Sequence, residues 1–177
     1  ALLNASIFFD LAPLYGDADL AERLRSAMLS LTVDAPSFLH LMAANALNAP
    51  APLNFRGELV ADGGDFGDEI DLKKFGTRIF VDAARIFALV AGARAVNTSA
   101  RLHDAGLAAG LQEADIAAVE AAFAELLRLR LGHQLARGMT AGEEGTGVRL
   151  GSLNEFDRVV LRESLKQARR LQQRLKL

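Results

Sequence analysis

The sequence predicts a mainly α protein, a multi-helix bundle of about six helices with a short N-terminal strand and a small β-hairpin. Two observations carry this. Apolar residues recur at steps of three and four through most of the chain, the spacing of one face of an α-helix. The runs are also separated by capping residues, prolines and glycines at helix-length intervals. A chain of 177 residues, half of them hydrophobic and a quarter charged, is long enough for one folded domain.

Taken in order, Ile7 to Leu11 reads as a strand by its β-branched and aromatic content, and Pro13, Gly16 and Asp17 turn the chain. Asp17 or Asp19 caps a helix with the stripe Leu20, Leu24, Ala27, Met28 and Leu31. Asp34 and Pro36 start another, with Phe38, Leu39, Leu41, Met42 and Leu47 facing in, and Pro50 and Pro52 end it. Phe55 to Val60 and Ile70 to Lys74 are expected to form a β-hairpin around the glycine-rich turn from Asp62 to Asp68. Those glycines do not match a phosphate-binding spacing, and Asp62, Asp65, Asp68 and Glu69 would repel phosphate.

The stretch from Gly76 to Gly92 is apolar nearly all round, which places it in the middle of the domain. Asn97 or Thr98 then caps a short helix ending at Gly106. A long helix from about Gln112 to Arg137 buries Ile116, Val119, Phe123, Leu126 and Leu127. Gly138 to Gly151 is expected to be a flexible loop. Ser152 with Glu155 fits a capping box for a last helix reaching about Leu175, with Phe156, Val160, Leu165, Ala168 and Leu171 inward and a basic outer surface.

Composition excludes several function classes. Without cysteine there are no disulfides, no thiol catalysis and no cysteine-bound zinc. A net charge of −2 argues against a general nucleic-acid binder, although the basic last helix keeps that reading in view. The longest apolar stretch, Ile79 to Val96, is interrupted by Asp82, Arg85 and Arg94, so no membrane span is expected. The chain shows no secretory signal, and a cytoplasmic location is the expectation. His40, His103 and His133 lie on three separate predicted helices, and no nucleophile has a base beside it. No metal set and no catalytic residue is predicted; the chain reads as a binding domain.

The charges that remain are unevenly placed. Arg78, Asp82 and Arg85 share one stripe of the central helix, and Lys73 and Lys74 precede it. They form either a salt-bridge stripe on the one wet face of that helix or an anion-binding wall in which Asp82 holds the two arginine forks. On the long helix, Arg130, His133 and Gln134 continue the inward face, either as a polar addition to the site or because the helix has left the core by that turn.

Certain runs resemble a known family. Asn4-Ala5-Ser6-Ile7-Phe8-Phe9-Asp10 with Leu14-Tyr15-Gly16-Asp17, then Asp71-Leu72-Lys73-Lys74, and later Leu127 to Gln134 (LRLRLGHQ), are similar to the putative nucleotidyltransferase substrate-binding domain. In that family the domain follows a nucleotidyltransferase domain, often with cyclic-nucleotide-binding-like and CBS modules upstream, an arrangement similar to the uridylyltransferases that modify the PII signalling protein. The pattern departs at Lys74-Phe75-Gly76-Thr77-Arg78-Ile79, where the uridylyltransferase-like form has paired glycines and an Arg-Asp. The resemblance implies a single helical domain over 1–177 that is the C-terminal part of a longer protein, with 1–12 the tail of the catalytic domain. It implies Mg²⁺ and a nucleoside triphosphate in the parent protein and no cofactor in this part. The implied partners are the preceding catalytic domain and a nucleotide or protein substrate. A homodimer built on the alanine- and leucine-rich helices is the alternative role.

Overall fold

The computed structural model describes residues 6–61, 68–136, 138 and 147–176. A helical turn at 6–8 leads into α1 (Ala18–Val33) and α2 (Pro36–Leu47). Strand β1 (Glu69–Asp71) passes through a π-helical turn (Lys73–Thr77) into α3 (Arg78–Ala91). Then come α4 (Thr98–Gly106), α5 (Glu113–Ala136), β2 (Gly147–Arg149), a 3₁₀ turn (Leu150–Ser152) and α6 (Glu155–Arg174).

Helix α3 is the hub, as its all-round hydrophobicity demands: it packs on α1, α2, α4 and α6, and the π-helical turn runs into its start. Gly92 ends it in the left-handed conformation, φ 66°, where a side chain would be strained. Nine of its residues are buried, among them Phe80, whose ring centroid lies 5.6 Å from that of Phe123 on α5. Burying such a side chain contributes roughly 1.5–3 kcal/mol. Leu102 of α4, Leu126 of α5, and Leu161, Leu165 and Leu171 of α6 close the core around it. The mainly α bundle is therefore as expected, with caps from Asp17 and Asn97 where the sequence placed them.

Several local expectations are corrected. Residues 6–8 are helical, and Asp10 and Leu11 donate their backbone N–H groups to the carbonyls of Ile7 and Phe8 in a turn. Local bonds satisfy this backbone where a strand would need a pairing neighbour. The hairpin is also absent: Ile70 pairs antiparallel with Val148. Both side chains are fully buried, and Arg149 Nε meets Glu69 Oε1 at 2.7 Å across the pair. Part of the expected flexible loop is thus strand β2, while 139–146 and the glycine-rich turn at 62–67 lie outside the described residues. The other predicted arm folds on itself through a Leu53–Leu59 bridge, because Asn54 Oδ1 accepts the N–H groups of Arg56 and Glu58 and Gly57 adopts φ 79°.

Details differ from expectation on four helices. Helix α1 turns Met28, Leu29 and Thr32 inward and leaves Leu20, Leu24 and Leu31 exposed. Leu41 and Leu127 also point outward. The cap of α6 is Asn154, whose side chain accepts the Asp157 N–H at 2.8 Å, whereas Ser152 donates to the Arg149 carbonyl and Phe156 is exposed. No single described helix is long and apolar enough to cross a membrane.

Candidate functional site

The charged stripe on α3 is built by helix geometry. Steps of four and three put Arg78, Asp82 and Arg85 on one side, and Asp82 bridges the two arginines, Oδ2 to Arg78 Nε at 3.1 Å and Oδ1 to Arg85 Nη1 at 3.2 Å. The stripe is graded in depth. The Arg78 side chain is 43% exposed and that of Arg85 only 10%. Beside it, between α2, α3 and Ser6, lies a small cleft of about 40 Å³ lined by Met42, Asn45, Arg78, Asp82 and Arg85.

Two members of this network carry no signal in the local sequence pattern. Asp10 receives Arg85 Nη2 at 2.6 Å on Oδ2, and Arg101 Nη1 of α4 at 2.6 Å on Oδ1. Arg101, with a side chain only 5% exposed, also donates to the carbonyls of Ala95 and Phe9, at 2.8 and 2.6 Å. Arg25 of α1 holds the carbonyl of Leu11 at 2.5 Å. The partners of Asp10 stand 75 and 91 residues away, so no helical spacing could announce them. Burial alone would raise the Asp10 carboxyl; the hydrogen bonds from Arg85 and Arg101, together with their charges, outweigh it and hold the group below its ordinary value.

Lys73 and Lys74 stand on the π-helical turn, whose wide register is marked by the Thr77 N–H reaching back to the Leu72 carbonyl at 2.8 Å. Asp71 Oδ1 accepts both lysine backbone N–H groups, and both lysines are exposed. Lys74 Nζ sits 4.6 Å from the centre of the Phe75 ring, and neither lysine forms an ion pair with a described residue. Helix α5 packs beside the same turn, and the Leu126 methyl groups lie where a side chain at Gly76 would meet them. Arg130 and His133 follow Leu126 by four and seven residues on that side of α5. Arg130, His133 and Gln134 are half-buried, so α5 has not left the protein surface at this turn, and Arg130 Nε is shielded without a hydrogen-bond acceptor among the described residues.

The basic surface of α6 is largely engaged within the chain. Arg169 holds the carbonyls of Leu53 and Asn54, Arg158 that of Leu150, and Arg162 and Lys166 both meet Glu163. Among the described residues no cluster of His, Asp and Glu is arranged to hold a metal ion.

Comparison with known proteins returns no curated relative and no solved structure. The model of one family, described as putative nucleotidyltransferase substrate binding domain, matches residues 36–177, from the start of α2 through α6. That span includes Lys73, Lys74 and the whole α3 stripe, and it makes this chain a member of that family.

Proposed function

We propose that this domain holds an anionic group of the substrate while the preceding nucleotidyltransferase domain makes and breaks bonds. The observation that carries this reading is the run of cations from the π-helical turn into α3. Lys73 and Lys74 are exposed, and Arg78 follows with its guanidinium oriented by Asp82 and still nearly half exposed. A guanidinium fixed by a carboxylate is preorganised to take a phosphate or carboxylate on its free edge. Arg85 anchors Asp82 from behind, and Arg130, His133 and Gln134 extend the wall from α5. Mg²⁺ and the nucleoside triphosphate belong, in this reading, to the preceding domain of a cytoplasmic, uridylyltransferase-like signalling enzyme. This domain grips either the nucleotide phosphates or an acidic surface on a protein substrate.

Titration calorimetry of the protein with a nucleoside triphosphate tests the first alternative, and with an acidic protein substrate the second. The Lys73→Ala/Lys74→Ala/Arg78→Ala variant should bind at least about 10-fold more weakly, since even one charged hydrogen bond contributes about 1.5–3 kcal/mol. Unchanged binding of both ligand classes ends the proposal. A second reading, a homodimerisation module, is favoured by the exposed leucines of α1, Leu20, Leu24 and Leu31. A strictly monomeric species across concentration in sedimentation removes it.

A further inference from the structure

Arg85 and Arg101 come from adjacent helices and point their guanidinium groups at one carboxylate. Arg85 takes it side-on, with Nη2 to Oδ2 at 2.6 Å and Nε to Oδ1 at 3.4 Å, and Arg101 adds Nη1 to Oδ1 at 2.6 Å. Two cations this deep require an anion, because uncompensated buried charge is costly. What matters is where the anion comes from and what orients the cations.

The anion is on a segment with little apolar burial, tied down mainly by polar contacts, Arg101 to the Phe9 carbonyl and Arg25 to the Leu11 carbonyl. Phe8 is 61% exposed, Ile7 equally so, and Asp10 itself keeps 39% of its side chain in solvent. The main apolar anchor is Phe9, whose ring centroid lies 5.9 Å from that of Phe38. The cations, by contrast, are each fixed by a second partner outside that segment. Asp82 holds Arg85 Nη1, and the Ala95 carbonyl holds Arg101 Nε. If Asp10 withdraws, both forks keep their aim. Both arginines also lie within the matched span 36–177, and Asp10 lies before it. A cleft of about 20 Å³ on the Phe9 and Arg101 side of Arg85, and the one of about 40 Å³ on the Arg78 side, leave space around the socket.

We propose that Arg85 and Arg101 form a preorganised oxyanion receptor, for a carboxylate or a phosphate monoester, and that Asp10 is its internal occupant. An external anion and Asp10 compete for one socket, so loading it releases residues 6–11 from the face of α3 and α4. This extends the reading of α3 as an anion-binding wall and rests on it only in assigning the external anion to the substrate.

Asp10→Gly deletes a CH₂–COO⁻ group, which acetate replaces almost atom for atom. Melting temperatures of wild type, Asp10→Gly and Asp10→Gly/Arg101→Met are measured while chloride is exchanged for acetate or inorganic phosphate at fixed ionic strength. The expected result is a rise of about 2–4 °C or more in the glycine variant near saturation, little change in wild type, and no rise in the double variant. Asp10→Asn keeps the volume and supplies the same comparison with phosphate if the glycine variant does not fold. Equal responses of wild type and the Asp10 variant overturn the proposal. So does a response that survives loss of Arg101. Lys73, Lys74 and Arg78 are untouched in these proteins, so this failure is distinct from failure of nucleotide binding at the outer wall.

Discussion

Two arginines seven residues apart on one helix should differ sharply in what they contribute to stability. Arg78 reaches a single carboxylate at 3.1 Å with nearly half its side chain in water. Screening and side-chain entropy reduce such a pair to about 0–1 kcal/mol. Arg85 is nearly buried and bonds both Asp82 and Asp10. Replacing it with methionine fills its volume but removes two charge-assisted contacts of about 1.5–3 kcal/mol each. The loss is reduced because Asp10 keeps Arg101 and Asp82 keeps Arg78, so about 2–4 kcal/mol is expected. For a chain of this length that lowers the melting temperature by about 5–15 °C, against less than about 4 °C for Arg78→Ala. Urea unfolding of the two variants, followed by circular dichroism, reads the free-energy losses, and thermal unfolding reads the shifts. Equal losses would refute the reasoning that burial and a second carboxylate make Arg85 the stronger contributor to stability.

Two further outcomes are expected. Gln172 is buried, accepts the Ala51 N–H at 3.0 Å and donates to the Ala49 carbonyl at 2.9 Å, so Gln172→Leu strands both groups. That should cost about 2–5 kcal/mol in chemical denaturation, and a loss under about 1 kcal/mol would contradict the stranding. Because the folded-state pKa of Asp10 is depressed, its contribution is complete above the ordinary value of 3.8 and disappears as pH falls through the depressed one. The stability gap between wild type and Asp10→Asn should therefore be level above about pH 5 and close in acid; a gap that widens on acidification reverses the assigned sign.

How far the sequence could be read depended on the distance over which each feature is encoded. Helix α3 was legible because a run that is apolar on nearly all sides between two glycines has one stable place, the interior. Its Arg78–Asp82–Arg85 stripe was legible for the same local reason, and the expected pairing is present. Helix α1 was legible as a helix but not in rotation. Leucines occur on both sides of it, Leu29 inward and Leu20, Leu24 and Leu31 outward, and the inward side is set by neighbours that periodicity does not contain. The partner of β1 was out of reach because Val148 lies beyond three intervening helices, while a glycine-rich turn adjoined a nearer candidate. Asp10 shows the same limit within the site, since its role exists only once α3 and α4 stand side by side.

The wide turn before α3 sets the phase between the lysines and the arginines. An α-helical continuation would place Lys73 and Lys74 one residue earlier in the screw, a rotation of about 100° around the axis of α3. Excising a single residue between Lys74 and Arg78 would turn both ammonium groups to another bearing and leave every arginine where it is. Alignment of the cationic run thus depends on chain length at this point as well as on side-chain identity, and any relative lacking that residue should present its positive charge in another direction.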